Sequence, residues 1–405
     1  MSLHNTVSGN RVHIGFFGRR NAGKSSLVNA VTGQNLAVVS AVPGTTTDPV
    51  QKAMELLPMG PVLIIDTPGI DDEGALGALR VQKTQQVLHK TDVAVLVVDA
   101  SVGKSDTDEE LIALFREQGI PFLVAYNKCD LLSRPPEAPE GERAVFLSAQ
   151  HKTNIDTLKE SIAALSAPED KRPIVGDLLQ RGDLAILVTP IDSAAPKGRL
   201  ILPQQQTIRD VLDSGAGAVV VKETELSHML SCLAQTPRIV ITDSQAFAPV
   251  AAIVPEDIPL TSFSILFARH KGDLIQAVRG AAALETVQDG DTILISEGCT
   301  HHRQCDDIGS VKLPRWIRGH TGKELRFVFS SGTEFPEDLS PYRLIVHCGG
   351  CMLNPRQMRY RQKCAAEQGV PMTNYGVLIA HIQGILPRAL APFPAAAAAL
   401  TAGRL

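Results

Sequence analysis

The residues best equipped for chemistry fall into two groups, one early in the chain and one in its last third. The first is Gly18-Arg19-Arg20-Asn21-Ala22-Gly23-Lys24-Ser25, followed by Ser26. Glycines at the two ends of G-x-x-x-x-G-K-S let the backbone wrap a phosphate with its N–H groups, and the helix that must follow adds the positive end of its dipole. Lys24 is then expected to reach the β- and γ-phosphates as a catalytic charge, and the Ser25 hydroxyl to bind Mg²⁺. The second group is Cys299-Thr300-His301-His302 together with His347-Cys348-Gly349-Gly350-Cys351. Thiolates and imidazoles in such spacing are metal ligands or redox groups.

Three further motifs select the nucleotide. In Asp66-Thr67-Pro68-Gly69, Asp66 is expected to hold Mg²⁺ through water, and the Gly69 N–H to meet the γ-phosphate. In Asn127-Lys128-Cys129-Asp130, the Asp130 carboxylate can accept from both N1–H and the exocyclic amine of guanine, a pair that adenine lacks. Ser148-Ala149 closes the base pocket. Four motifs in this order resemble the translation-factor-type GTPases. Pro43-Gly44-Thr45-Thr46-Thr47-Asp48 resembles the switch I stretch of the Era/MnmE/EngA group, which would make Thr46 a Mg²⁺ ligand and part of the catalytic set. Asn21 matches the asparagine that helps to hold K⁺ in the potassium-activated members, with simple loop stabilisation as the alternative. Ile70 stands where Ras-like enzymes carry a water-orienting glutamine, so hydrolysis is expected to be slow or to use another group. The acids Asp71, Asp72 and Glu73 read as a solvated loop.

For the thiol group, spacing leaves several readings open. Cys348 and Cys351 can share one metal centre, and the two glycines between them let the backbone turn around it. Zinc needs four ligands in a closed tetrahedron, and three cysteines with nearby histidines could supply them. An iron–sulfur cubane on three cysteines would leave one iron to another ligand, with His301, His302 and His347 as candidates. A redox pair or packed thiols would also fit. Cys129 is expected as a small buried side chain, Cys232 as helix packing, Cys305 as a spare, and Cys364 as a helix residue. His228, His270, His320 and His381 are expected at the surface or in packing.

The elements that must carry these groups are legible as apolar runs. VHIGFF, VLIID, VAVLVV and PFLVAY read as buried parallel strands. Lys24–Thr32, Ala75–His89 and Asp106–Gln118 are compatible with helices. Composition breaks the chain at 167–173, giving a P-loop domain over 1–168. A second α/β domain over 169–270 is expected from LAILVTPI, GAVVVK, RIVITD and SFSILFA. A third, over 271–395, is expected from TILISEG, LRFVFSSG and YRLIVHCGG, with a helix over Lys363–Gly369 and a frayed Ala-rich tail at 396–405. The fold class is therefore α/β, with mainly parallel sheets throughout. Both cysteine clusters directly follow a strand, and ligands gather at the carboxyl ends of parallel strands.

Composition narrows the functional classes. A length of 405 residues calls for two or three domains. A net charge of −4 gives no general reason to bind nucleic acid. No apolar run reaches membrane-spanning length, and the N-terminus lacks the layout of a secretory signal. Seven cysteines, an odd number, argue for reduced thiols in a cytoplasmic protein over a disulfide framework.

A P-loop GTPase with C-x-H upstream of H-C-x-x-C resembles the HydF family, the GTPase maturase of iron–iron hydrogenase, over essentially the whole chain. The resemblance implies a middle dimerisation domain, hence a homodimer, and a 4Fe–4S cluster on Cys299, Cys348 and Cys351. It implies a scaffold that holds the two-iron subcluster precursor and delivers it to apo-hydrogenase, with two radical-SAM maturases upstream. The alternative is an Era-like RNA- or ribosome-associated GTPase with a structural zinc site. Against that stand the absence of a KH-type loop and an aromatic content of 4%. A third reading, a C-x-x-C redox enzyme, lacks the usual flanking sequence.

Overall fold

In the computed structural model, residues 8–33, 50–69, 84–133, 141–165, 172–190, 200–298, 307–332 and 335–402 are described. The chain divides into two units, Met1–Asp170 and Lys171–Leu405.

The first unit is a six-stranded sheet of order β2-β3-β1-β4-β5-β6. The strands are β1 (Val12–Phe17), β2 (Val50–Leu56), β3 (Gly60–Asp66), β4 (Val93–Asp99), β5 (Phe122–Asn127) and β6 (Ala144–Phe146). Every pair is parallel except β2 with β3. In β4, Val93 to Val98 are all buried because helices cover both faces, and each valine or leucine among them contributes roughly 1.5–3 kcal/mol by leaving water. Strand β2 has no counterpart among the apolar runs read from the sequence. It is an edge strand whose exposed positions alternate with less exposed ones, so VQKAMEL carries too few apolar residues to stand out. The helices Lys24–Thr32 and Asp106–Glu117 lie where expected. Of the expected helix Ala75–His89, residues 75–83 lie outside the described ones.

The second unit holds two parallel four-stranded sheets, β10-β9-β7-β8 and β12-β11-β13-β14. The first comprises β7 (Leu184–Val188), β8 (Gly217–Val221), β9 (Ile239–Thr242) and β10 (Leu260–Ser262). The second comprises β11 (Thr292–Ser296), β12 (Arg326–Ser330), β13 (Leu344–His347) and β14 (Met372–Asn374). One continuous apolar core joins them, running from Ile186 and Phe247 to Ile293 and Leu378.

Three local expectations are corrected here. SFSILFA, read as a strand, starts in β10 and turns into the helix Phe263–Lys271, because the Ser262 hydroxyl accepts the Ile265 N–H at 3.3 Å and caps it. An apolar run of this length has no periodicity that separates the two states. The helix expected over Lys363–Gly369 begins earlier, at Pro355, capped by Asn354. The tail expected to fray forms the helix Pro394–Ala402. It packs against the helix Leu274–Ala282 and buries Ala396, Ala399 and Leu400. Small side chains gave no amphipathic signal, yet they allow close approach.

Candidate functional site

The phosphate loop runs from the end of β1 to the helix Lys24–Thr32. Gly23 caps that helix with φ +89, and a Cβ there would collide with the Asn127 amide, so glycine is required on both conformational and steric grounds. Lys24 is buried and its ammonium donates to the carbonyls of Gly18 (2.9 Å) and Arg19 (2.7 Å). The cation is thereby held over the loop where a phosphate would compete for it.

Asp66, at the end of β3, accepts the Ser25 hydroxyl at 2.6 Å through Oδ2. Its other oxygen, Oδ1, is buried and accepts no hydrogen bond among the described residues. Burial pushes the Asp66 carboxyl up, offset in part by Ser25 and by the charges of Lys24 and Lys52. A buried carboxylate with an orphaned oxygen beside a serine hydroxyl fits a divalent cation. Mg²⁺ suits these hard oxygen donors.

Asn127 ends β5 and braces two loops. Its amide donates to Ala22 O (3.0 Å), and its carbonyl accepts the Ala149 N–H (3.0 Å). Phosphate loop and base-pocket loop are thus fixed to one side chain. Lys128 follows in the left-handed region and pairs with Asp99 at 2.6 Å. Asp130 stays accessible, with His151 Nε2 3.8 Å away. Asn21 lies exposed at the tip of the phosphate loop with φ +60. Gly69, which closes the described part of this region, approaches Arg20 of the phosphate loop, where a Cβ would sit 2.9 Å from its backbone. Thr46 and residues 70–73 lie outside the described residues.

In the second unit, β11 and β13 are neighbours with Ser296 opposite His347. Cys348 emerges from β13, and its N–H donates to Ser296 O at 2.9 Å. The Cys348 sulfur accepts N–H groups from Gly298 (3.1 Å) and Gly350 (3.4 Å). Gly298 immediately precedes Cys299 in sequence, so the chain leading to the third cysteine passes directly over the Cys348 sulfur. Cys299, His301, His302 and Cys305 themselves lie outside the described residues. Gly350 turns the C-x-x-C loop with φ +60. Burial pushes the Cys348 thiol up, against the lowering by the two N–H donors. A bare thiolate is costly there, and a metal ion on the sulfur would remove that cost. The donor set therefore fits a thiolate-bound metal group.

Two buried cations flank this loop, and nothing in their spacing marked them in the sequence. Lys271, at the end of the helix Phe263–Lys271, is 3% exposed. It donates to the carbonyls of Gly350 (3.0 Å), Cys351 (3.3 Å) and Leu353 (3.0 Å). Burial pulls its ammonium down to about 8, with the two thiols working the other way. Arg361, on the helix Pro355–Glu367, donates to His347 Nε2 at 2.8 Å and to Gly332 O at 2.9 Å.

His347 is a correction to the candidate ligand set. Its ring is buried, with Nε2 held by Arg361 and Nδ1 at 2.7 Å from Cys348 O. Burial and then the Arg361 charge pull it down to about 3. Both nitrogens are engaged in holding the backbone and Arg361, so neither faces an iron in this arrangement. A cleft beside Cys348 is lined by Phe267, Lys271, His347, Met358, Met372 and Thr373.

Residues 174–272 match the hydrogen maturase F dimerization domain, and residues 275–392 match the hydrogen maturase F tetramerization domain. The chain belongs to the hydrogen maturase F family. Residues 13–128 match the 50S ribosome-binding GTPase family.

The chain is 38% identical over 165 residues to GTPase Der of Wolinella succinogenes, covering 37% of this chain and 35% of that one. It is 34% identical over 173 residues to the tRNA modification GTPase MnmE of Geobacillus kaustophilus, covering 41% and 35%. The chain thus spans about a third of the length of these curated relatives. Era of Aquifex aeolicus aligns with a TM-score of 0.35 at 20% identity, over 55% of this chain and 98% of that one.

Cys129 and Cys232 differ from their expected settings, whereas Cys364 lies on a helix as expected. Cys129 is half-buried, not buried. Cys232 is exposed, not packed, with its sulfur 3.6 Å from His228 Nε2. Cys364 sits half-buried on the helix Pro355–Glu367. Among the described residues no helix is long and apolar enough to cross a membrane.

Proposed function

We propose that this maturase binds and hydrolyses GTP with Mg²⁺ in its first unit, and carries a 4Fe–4S cluster on Cys299, Cys348 and Cys351 in its second. In this reading the chain is a scaffold. It receives the two-iron precursor through the radical-SAM maturases and delivers it to apo iron–iron hydrogenase. Nucleotide turnover changes which partner is bound and does no iron chemistry. The observation that carries the reading is the Gly298 N–H on the Cys348 sulfur, because it brings the approach to Cys299 onto the C-x-x-C loop within a chain of this family.

The protein's own groups divide the work as follows. Lys24 and the loop N–H groups bind phosphate, Ser25, Asp66 and Thr46 hold Mg²⁺, and Asp130 reads guanine. Asn21 holds K⁺, which supplies the positive charge that an arginine finger provides elsewhere. With Ile70 in place of a water-orienting glutamine, hydrolysis is slow. Lys271 and Arg361 fix the thiol loop and offset the negative charge that three thiolates bring. His301 or His302 is left as the candidate for the fourth iron.

Self-association is part of the reading. Sheet edges β8 and β12 carry exposed Val220 and Val328, and they fall in the segments that match the dimerization and tetramerization domains. An unpaired, apolar strand edge is a surface on which a second copy can pair.

The test is anaerobic reconstitution with iron and sulfide, followed by incubation with apo-hydrogenase. A brown protein with about four irons per chain, which falls to a minor fraction when Cys299, Cys348 or Cys351 becomes Ser, supports the cluster assignment. A colourless protein whose zinc is lost when Cys348 or Cys351 becomes Ser would return the chain to the RNA-directed GTPase alternative.

A further inference from the structure

Far from the thiol loop in sequence, three helical segments bring Glu285, His320 and His381 together. Both imidazoles point Nε2 at one oxygen, Glu285 Oε1, each at 2.8 Å. One ligand atom from each of the three lies within 4.8 Å of the others. We propose that this trio is a binding site for a divalent transition-metal ion of the imidazole-preferring class, with Zn²⁺ as its occupant, distinct from the cysteine site.

Donor chemistry comes first. Two imidazole nitrogens and one carboxylate oxygen form a recurrent three-ligand set for zinc, leaving a fourth position to water. Ligand atoms on a tetrahedral zinc stand roughly 3.3 Å apart, since the bonds are about 2.0–2.2 Å. The two N···O distances of 2.8 Å would open by about half an ångström to admit an ion, and all three ligand atoms already lie within 4.8 Å of one another. As neutral imidazoles, both rings can donate Nε2–H to the single carboxylate oxygen Oε1 of Glu285. An ion in their place would take both lone pairs and the carboxylate, with each ring proton moving to Nδ1 and none released.

The scaffold adds a second argument. His320 lies in the last turn of the helix Leu313–Thr321, and His381 in the last turn of the helix Tyr375–Ile382. Both histidines therefore sit at the negative dipole ends of their helices, where a cation is favoured. Glu285 comes from the short 3-10 turn Ala283–Thr286. Burial would raise its carboxyl, but the hydrogen bonds from His320 and His381 outweigh it and hold the group below its ordinary range. The His381 side chain is 9% exposed and Glu285 57%, so the trio has an ordered floor and an open side through which an ion can enter.

The sequence hides this site because its ligands are 35 and 61 residues apart and each looks solitary. Separate helices join them only after folding. A hydrogen-bonded clamp between the helices is the competing account, and it predicts no metal dependence.

The experiment uses the full chain carrying Cys299→Ser, Cys348→Ser and Cys351→Ser, which removes the cluster thiolates. Equilibrium dialysis against Zn²⁺ should give one bound ion per chain. His320→Ala and His381→Ala should each weaken it at least tenfold, while His228→Ala, at the exposed Cys232 pair, leaves it unchanged. Cu²⁺ used as a probe should give an EPR spectrum coupled to two nitrogens. If the alanine variants lose their circular dichroism, Glu285→Gln decides instead, since it keeps an acceptor for both rings but should still weaken Zn²⁺ tenfold. Zinc uptake unaffected by these substitutions, uptake lost with His228, or copper coupled to fewer than two nitrogens would overturn the site. None of these outcomes bears on the iron–sulfur assignment, which rests on the cysteines.

Discussion

The Lys271 ammonium donates to the Gly350 carbonyl at 3.0 Å, from beneath the loop that carries Cys348 and Cys351. Two more carbonyls of the same loop, Cys351 and Leu353, share that cation. One buried lysine thus fixes the backbone between the two thiols.

Lys271→Met should therefore act on the cluster before it acts on the nucleotide. Three buried carbonyls lose their donor, at about 1–3 kcal/mol for groups left unsatisfied. Iron retained after reconstitution should fall by more than half, with GTP hydrolysis per chain unchanged. Full iron content in the variant would reduce Lys271 to a bystander.

His347 should behave unlike the cysteines and unlike a ligand. His347→Ala removes one acceptor of Arg361, leaving a buried guanidinium short of one partner. Urea unfolding of the second unit should shift by about 1–3 kcal/mol, whereas the EPR spectrum of the reduced cluster in the surviving folded protein should keep the parent's response to added imidazole. A changed response in His347→Ala, with none in His301→Ala or His302→Ala, would restore His347 as an iron ligand.

In the proposed function, base choice rests on Asp130. Asp130→Asn converts one acceptor into a donor and should move preference from GTP to xanthosine triphosphate. Each hydrogen bond to a charged group is worth roughly 1.5–3 kcal/mol, so GTP affinity should fall by at least about tenfold. Titration with both nucleotides measures it, and equal GTP affinity in parent and variant would break the assignment.

Cation dependence separates the roles of Asn21 and Lys24. Hydrolysis should rise when K⁺ replaces Na⁺ at equal ionic strength, and Asn21→Ala should abolish that difference while nucleotide still binds. Lys24→Ala should lose phosphate affinity in either salt. Identical rates in K⁺ and Na⁺ for the parent would leave Asn21 a purely structural loop residue.

The first unit should also lose stability in mild acid because of His13. This ring is buried in β1, with Nδ1 3.0 Å from Lys90 O and Nε2 3.0 Å from Ser8 O. Burial, with the Lys90 charge, pulls it from 6.5 down to about 4. The folded state thus binds its proton later than the unfolded state does. Its stabilising share is complete above pH 6.5 and is lost as pH falls towards 4, by about 3 kcal/mol at most. Urea midpoints between pH 7 and 4 should drop less steeply in His13→Gln than in the parent. Parallel profiles would mean that other groups set the acid limb.

Much of the nucleotide site was legible because its geometry is local. Gly23, Lys24 and Ser25 are adjacent in sequence and take their roles from one turn of backbone, so residue type and spacing suffice. Asp66 and Asn127 each end an apolar strand, and parallel strands place such ends on one edge. The same rule brought Cys348 to the site, since β13 lies beside β11 and the approach to Cys299 leaves β11. Strand β2 and the helix Phe263–Lys271 were not legible: one carries little apolar signal, and the other is decided by a serine cap over an ambiguous run.

The sequence by itself determined which groups could bind phosphate, guanine and metal, because those chemistries need particular atoms at short spacing. Only the tertiary structure decided that His347 serves Arg361, that Lys271 holds the thiol loop, and that Glu285, His320 and His381 meet. Each depends on side chains from separate elements, 14 residues apart in the closest case and far more in the others. Burial and partner geometry at such contacts follow from how helices pack on sheets, which no single segment encodes.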